Sequence, residues 1–290
     1  MSVRCVHESG ASSQDAGADQ GGIAMPVDPS LPRKVLVVHG VQSSDTNLNQ
    51  DILLNELIKA RIDNIPLSYA CELYRYENLN VNALQKYEKL LGLLVAGPVG
   101  EAVGGAVLEM IGDVVISLEN GATADKIREG LHQKVLEIFA AGNPCYIVAH
   151  SLGTIYTFDV LNALIGDGGY FDRGSRKTWP VQGLLTIGSP IGLDMFKVRG
   201  RDAIKNFGAG DKWFRWLNIW DPNDPVVSGN IFGQHLSAYK IAEKFLSGNP
   251  NQGWVIRDIA TDTGKSWLMS HTAYWHSPIV GDKLVDMLTS

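Results

Sequence analysis

Ser151 has the position in this sequence that is best suited to covalent chemistry. It lies in YIVAHSLGTIY (146–156), where an apolar run typical of a buried strand ends and a helical pattern begins at once. Ala149 and Gly153, two residues before and after it, would let strand and helix approach closely around a sharp turn. Such a turn exposes Oγ beside the free N–H groups of a helix N-terminus, which can stabilise an oxyanion. The pattern therefore predicts a nucleophile, because a helix cap does not need these small neighbours.

Strand patterns and helix patterns alternate along the chain on both sides of Ser151. Strands are predicted at 34–40, 67–76, 145–150, 183–188, 213–221 and 255–261, and helices at 48–62, 124–142, 152–164 and 278–290. This alternation predicts an α/β fold with a mostly parallel sheet and helices on both faces. Ligands of such sheets bind at the carboxyl ends of the strands, which is where Ser151 falls.

The segment AHSLG (149–153) resembles the nucleophile elbow of the α/β-hydrolase fold, in its serine lipase and esterase branch. Ala149 stands where the usual pattern has Gly, and His150 belongs to the elbow itself. The resemblance covers roughly residues 33–290. It implies an α/β-hydrolase domain with a helical insert over the carboxyl ends of the strands. It also implies the chain order serine, acid, histidine.

The resemblance implies an acid in the turn after a late strand, and NIWDPNDPVV (218–227) offers two. Asp224, followed by Pro225, is the favoured residue. Asp221 is the alternative acid, although its side chain could instead form a turn with the backbone before Asn223.

The family keeps its base between the last strand and the closing helix, and His271 in SHTAYWHSP (270–278) has that place. The aromatic residue three positions on, Tyr274, is also common in the family. His276 is the other candidate for the base; alternatively, it is a surface histidine near the start of the closing helix. The remaining histidines are less suited: His7 lies in the tail, His132 on a solvated helix face, and His235 in an insert.

His39-Gly40-Val41-Gln42, after the first core strand, is similar to the oxyanion loop of the family. The resemblance implies that the backbone N–H groups of Val41 and Leu152 bind the oxyanion, at ~3 kcal/mol for each contact. Gln42 is the alternative second donor. The same residues would also suit an ordinary strand-to-helix turn. GSP (188–190) also resembles a turn of this family and is assigned a structural role.

The composition excludes several classes of function. The chain has 25 Lys+Arg against 31 Asp+Glu, a formal charge of -6, and no basic run, so no nucleic-acid partner is expected. No apolar run reaches the ~20 residues of a membrane span, so no transmembrane segment is expected. The three cysteines cannot all pair and have no metal-ligand spacing, and Cys145 lies in an apolar strand pattern typical of a reduced, packed thiol, so a reducing, cytoplasmic location is expected. No metal site and no glycine-rich phosphate loop is found, and no cofactor is expected.

The chain divides into a tail and one domain. Residues 1–30 are rich in Gly, Ser, Ala, Asp and Gln and are predicted to be disordered, with Met25 a possible true start. Residues 31–290 form the predicted hydrolase domain. It carries an apolar insert at about 90–118 and a second insert at about 228–250. The first insert is interpreted as a helical cover over the substrate site, with a plain buried hairpin as the alternative.

Three functions remain open from the sequence. The leading hypothesis is a serine hydrolase that cleaves small-molecule or lipid-like carboxylic esters through an acyl-enzyme on Ser151. An acyltransferase or thioesterase would use the same residues and differ only in the acceptor. A catalytically silent α/β-hydrolase domain that serves in binding is the third. The presence of a candidate serine, acid and histidine argues against it.

Overall fold

A six-stranded parallel sheet forms the centre of the protein. The computed structural model describes residues 27–40, 49–76, 121–166, 179–192, 214–228, 241–242, 255–265 and 268–290. Its strands are β1 (Arg33–Val38), β2 (Tyr69–Tyr74), β3 (Cys145–His150), β4 (Val181–Ile187), β5 (Arg215–Trp220) and β6 (Val255–Ala260). They lie in the order β2-β1-β3-β4-β5-β6, and all five pairings between them are parallel.

The register brings the carboxyl ends of the central strands level with one another. Val38 of β1 pairs with Ala149 of β3, and His150 pairs with Ile187 of β4. Ile187 pairs in turn with Ile219 of β5. The turns that follow these strands therefore meet at one edge of the sheet. The strand order reverses between β1 and β3, and this reversal is the usual place for a ligand site in an open α/β sheet.

The helices complete two layers around the sheet. They are α1 (Gln50–Lys59), α2 (Ala122–Ala140), α3 (Leu152–Gly166), α4 (Pro225–Ser228), α5 (Leu268–Ala273) and α6 (Pro278–Leu288), with 3-10 turns at Pro190–Gly192 and Tyr274–His276. None of the helices within the described ranges combines the length and the apolar character that crossing a membrane requires.

Both faces of the central part of the sheet are buried, because successive strand residues point to opposite sides and most residues of β1, β3 and β4 are apolar. One face packs against α2 and α3, in a core cluster that includes Leu36, Ile147, Ile127, Leu131 and Ile155. The other face packs against α1 and α6, in a cluster that includes Val37, Val148, Leu54, Ile58 and Leu284. The α/β fold predicted from the sequence, a parallel sheet between two helical layers, is confirmed. The strand order, with a strand–turn–helix junction after β3, is that of the α/β-hydrolase fold.

The last four residues of the predicted tail, 27–30, are described by the structure. Val27 is buried, at 6% exposure, whereas residues 28–30 are exposed, and the N–H of Asp28 donates to the carbonyl oxygen of Gly142 at 2.8 Å. Their polar composition suggested disorder, but one buried side chain and one backbone contact join them to the domain. Residues 1–26, including Met25, lie outside the described residues.

The two predicted inserts fall largely outside the described residues. The whole of 90–118, with its predicted helical cover, lies there. Of the second insert only Ser228, Ile241 and Ala242 are described. Ile241 is buried in the core, and the N–H groups of Ile241 and Ala242 donate to the carboxylate of Asp258 on β6, at 3.2 and 2.9 Å.

Candidate functional site

Ser151 occupies a strained turn between β3 and α3. Its φ is 52°, a left-handed value that non-glycine residues rarely adopt and that costs roughly 1–3 kcal/mol. The backbone is held from both sides, since its N–H donates to Ile187 O at 3.2 Å and its carbonyl accepts from Thr154 Oγ1 at 2.6 Å. The turn keeps the side chain half-buried at the edge of the sheet. The chain therefore makes a sharp strand–turn–helix junction at Ser151.

Small residues around Ser151 allow this turn to form. A Cβ on Gly40 would lie 2.5 Å from the Cβ of Ser151, and one on Gly153 would meet the backbone of β1. Ala149 is completely buried within β3. The extra methyl relative to the usual glycine is therefore accommodated inside the sheet, whereas Gly40 and Gly153 lie where no side chain fits.

Ser151, His271 and Asp224 form a continuous hydrogen-bonded series. His271 Nε2 lies 2.9 Å from Ser151 Oγ, and His271 Nδ1 lies 2.8 Å from Asp224 Oδ2. A carboxylate can only accept, so Nδ1 carries the proton and the bare Nε2 accepts from the serine hydroxyl. Asp224 and His271 are buried, at 0% and 2% exposure. The series has the geometry required of a nucleophile, a base and the group that orients the base.

Asp221 has a different set of partners. Its Oδ1 accepts from the N–H of Asn223 at 2.7 Å, the side-chain turn that the sequence offers as its alternative role. Its Oδ2 accepts from the N–H and the hydroxyl of Thr263 at 2.7 and 2.6 Å. Asp221 therefore ties the turn after β5 to the turn after β6, while the contact with His271 is made by Asp224.

His271 lies on a short helix of its own between the last strand and the closing helix. It belongs to α5, which is followed directly by the 3-10 turn at residues 274–276. The competing His276 is exposed on that turn, in agreement with its surface interpretation. His132 is half-buried on α2 and so less solvated than expected. His7 and His235 lie outside the described residues.

The oxyanion loop is described only in part. Val41 and Gln42 lie outside the described residues, so the second oxyanion donor remains a prediction. Leu152 is the first residue of α3, and the first N–H groups of a helix have no intrahelical acceptor. His39 is buried, and its ring stacks on that of Tyr76 with centroids 4.3 Å apart.

His150 supports the base from the elbow itself. Its Nε2 lies 2.7 Å from the carbonyl oxygen of His271, so Nε2 carries a proton and donates it. The two rings lie 4.8 Å apart. Burial, and then the nearby His271, hold the pKa of His150 well below its usual range, so the residue is a neutral donor.

Three polar side chains at the site received no chemical role from the sequence. Tyr274 donates its hydroxyl proton to Asp224 Oδ2 at 2.8 Å. Thr154, which holds the Ser151 carbonyl, accepts in turn from the Ser189 hydroxyl at 2.9 Å. Ser189 of the GSP turn is thus linked through Thr154 to the backbone of Ser151. In the sequence, the only signs of these contacts are the aromatic residue three positions after His271 and the serine of the GSP turn.

The chemistry available at the site is that of a hydroxyl activated by an imidazole. The described ranges hold no cluster of three or more His, Cys, Asp or Glu side chains that could bind a metal ion. The hydroxyl of Ser151 is already hydrogen-bonded to His271 Nε2, the atom that would receive its proton. The arrangement can therefore perform nucleophilic attack, followed by transfer of that proton to a leaving group.

Comparison with known proteins gives distant structural likenesses alone. No family model matches the chain, and no curated protein matches it either. The chain is similar to TT1662 from Thermus thermophilus, with 13% sequence identity, 90% of both chains covered and a TM-score of 0.40. It is also similar to an alpha-beta serine hydrolase homologue from Coxiella burnetii, with 12% identity, 91% of this chain and 86% of that one covered, and a TM-score of 0.33. A third likeness is to an uncharacterized protein from Pseudomonas aeruginosa (8% identity, 86% of this chain and 46% of that one, TM-score 0.29). The fold assignment therefore rests on the sheet topology and the turn at Ser151.

Proposed function

We propose that this α/β-hydrolase-fold protein is a serine hydrolase that cleaves carboxylic esters through an acyl-enzyme on Ser151. The observation that carries the proposal is the hydrogen-bonded series from Ser151 Oγ through His271 to Asp224, with distances of 2.9 and 2.8 Å. The left-handed turn at Ser151 gives it independent support, because backbone strain of this kind persists where a side chain must be held in one direction.

The proposed reaction has two halves. Ser151 Oγ attacks the ester carbonyl while His271 Nε2 takes its proton, and the same proton then passes to the departing alcohol. Water next attacks the acyl-enzyme and gives a proton to Nε2, and Nε2 passes that proton to Ser151 Oγ as the carboxylic acid leaves. Asp224 holds the Nδ1–H tautomer and stabilises the imidazolium in both halves. The N–H of Leu152 is one proposed donor to the oxyanion, with Val41 or Gln42 as the other.

An active-site-directed fluorophosphonate tests the proposal. Wild-type protein should be labelled at Ser151, as located by mass spectrometry, and should hydrolyse short p-nitrophenyl esters. Ser151→Ala should lose both properties while keeping its melting temperature. Near-normal turnover in Ser151→Ala would disprove the acyl-enzyme. A wild-type protein that is neither labelled nor active would favour a silent binding domain.

A matched pair of histidine variants tests the base. His271→Ala should lower kcat by about 10³-fold or more, because residues that act as one unit each cost most of the catalysis when removed. His276→Ala, an exposed histidine five residues away, should leave kcat within about twofold of wild type. The opposite ranking would exclude His271 as the base.

The acceptor of the acyl group is tested separately. An acyltransferase or thioesterase would form the same acyl-enzyme, so labelling at Ser151 does not distinguish it. Partition of the acyl-enzyme between water and an added alcohol or thiol, followed by product analysis, does. We expect the free acid as the main product. A predominant transfer product would assign the chain to the acyltransferases instead.

A further inference from the structure

Tyr274 bridges the two aspartates that follow β5. Its hydroxyl lies 2.8 Å from Asp224 Oδ2 and 2.9 Å from the backbone nitrogen of Asp221. The side chain is completely buried. It also lies so close to the turn after β4 that a Cβ on Gly188 would be 2.8 Å from its ring. Tyr274 is thus held between the turn after β5 and the turn after β4.

The direction of both hydrogen bonds is fixed by their chemistry. A backbone N–H can only donate, so the Tyr274 oxygen accepts from Asp221. Its single hydroxyl proton is therefore directed to the carboxylate of Asp224. Burial, and then the charge of Asp224, raise the pKa of Tyr274 well above its usual range. The hydroxyl accordingly remains a neutral donor.

The carboxylate of Asp224 is held at both oxygens. Oδ1 accepts from the N–H of Val226 at 2.9 Å, which fixes the near side of the group. Oδ2 accepts from both Tyr274 and His271, each at 2.8 Å. With Val226 and Tyr274 in place, rotation of the carboxylate about its Cβ–Cγ bond would break two hydrogen bonds besides the one to His271. The Tyr274 hydroxyl therefore directs Oδ2 toward Nδ1 of the imidazole.

We propose that Tyr274 is a positioning residue that orients the Asp224 carboxylate toward His271, and that its catalytic effect rests on the proposed hydrolase function. It is a residue of the same segment as the base, three positions after it. Helix α5 presents the imidazole, and the 3-10 turn directly after it supplies the hydrogen bond that aligns the partner of that imidazole.

The first test is a double-mutant cycle between Tyr274 and Asp224. Tyr274→Phe keeps the ring and removes the hydroxyl. We expect it to lower kcat and the fluorophosphonate labelling rate about tenfold with KM changed less than about twofold, since a lost charge-assisted hydrogen bond has roughly this effect. In an Asp224→Asn background the same change should alter these rates less than about twofold, because the residue acts through Asp224. Equal decreases of kcat and of the labelling rate in both backgrounds would mean that Tyr274 only packs in the core and does not act through Asp224.

The second test does not depend on activity. In proton NMR, the His271 Nδ1 proton should give a downfield signal that Asp224→Asn abolishes. Tyr274→Phe should shift this signal and speed its exchange with water. Tyr74→Phe is the matched control, since Tyr74 donates to the carbonyl oxygen of Ile127; it should leave the signal unchanged. A Tyr274→Phe signal with wild-type position and exchange rate would overturn the positioning role.

These readouts separate the two proposals. If wild-type protein is not labelled at Ser151, the hydrolase function fails and the NMR signal still decides the role of Tyr274. If Tyr274→Phe does not fold, proton NMR of the wild-type protein tests the positioning role instead. Its Tyr274 hydroxyl proton should exchange slowly and show a nuclear Overhauser effect to the His271 Nδ1 proton, because both protons point at Asp224 Oδ2. The absence of that effect would overturn the proposal.

Discussion

Gly153 of α3 lies directly against His39, the residue that follows β1: a Cβ on Gly153 would be 2.3 Å from the carbonyl oxygen of His39. The same atom would be 2.5 Å from the carbonyl oxygen of Val38. Both neighbours are backbone atoms at the end of a central strand, and they cannot move without displacing β1. The first turn of α3 can therefore reach its place beside Ser151 only when residue 153 has no side chain.

Gly153→Ala should consequently be more disruptive than a single methyl normally is. We expect a loss of at least about 1–3 kcal/mol in the free energy of unfolding, the usual range for overpacking, together with slower labelling of Ser151. Gly183→Ala is the matched control, because its added Cβ would be 2.5 Å from the sulphur of Met287, the movable end of a side chain. Thermal unfolding of the two variants checks the comparison; equal losses would show that the approach of α3 to β1 is adjustable.

Asp224 and Asp221 should respond differently to the same change. Asp224→Asn should lower kcat by about 10³–10⁴-fold, because an amide cannot hold the required tautomer of His271. Asp221→Asn should instead weaken the bonds from Asn223 and Thr263, and lose about 1.5–3 kcal/mol of stability with a much smaller effect on kcat. Kinetics and urea unfolding of both variants separate these outcomes. If Asp221→Asn had the larger effect on kcat, the acid would be assigned wrongly.

Local sequence patterns predict the central strands well, because β1, β3 and β4 are short and mostly apolar runs with clear ends. The strand at Cys145–His150 is bounded by Pro144 and by the turn at Ser151, and it was predicted from its first to its last residue. The strand after it was predicted to begin at Gly183 but begins at Val181. Gly183 looks like a boundary in the sequence, whereas in the fold its missing side chain makes room for Met287.

The partners of the polar residues depend on contacts that no local pattern contains. Asp221 and Asp224 lie in the same turn with similar neighbours, and either suits a turn chemically. What distinguishes them is that Thr263 reaches one and His271 the other, from segments about 40 residues away. The bond from Tyr274 to Asp224 spans 50 residues in the same way. These pairings follow from the order of the strands, so they became visible only with the fold.

His150 should make the stability of the protein dependent on pH. Burial, and then the neighbouring His271, depress its pKa well below the ordinary value of 6.5, so the folded protein keeps it neutral. The unfolded chain binds a proton there below pH 6.5 and the folded chain does not. Stability from this residue is therefore complete above pH 6.5 and falls as the pH drops below it, by at most about 1.4 kcal/mol per pH unit.

The variant His150→Gln tests this dependence, because glutamine keeps an N–H donor for the carbonyl of His271 and does not titrate. Between pH 6.5 and 5, its free energy of unfolding should fall less steeply than that of wild type. His276→Gln, which removes an exposed histidine, should follow the wild-type slope. Urea unfolding at several pH values gives the three slopes. Parallel curves for wild type and His150→Gln would show that His150 is not the buried neutral group described.

The segment 27–30 should contribute to stability although its composition is that of a disordered tail. Val27 is 6% exposed, and Asp28 donates to Gly142 at the turn between α2 and β3. A chain that starts at Met25 keeps both contacts, whereas one that starts at residue 31 loses them. Burial of a valine side chain is worth about 1.5–3 kcal/mol, and each kcal/mol shifts Tm by about 2–4 °C in a chain of this size.

Two truncations and one substitution measure this contribution. We expect the chain from Met25 to keep the Tm of the full chain, because the composition of the residues removed cannot bury much apolar surface. The chain from residue 31 should melt about 3–10 °C lower. Val27→Ser in the full chain should reproduce most of that decrease, which separates the buried side chain from the backbone bond of Asp28. Equal melting temperatures for the two truncated chains would show that residues 27–30 do not stabilise the fold, and these residues would then be assigned to the tail.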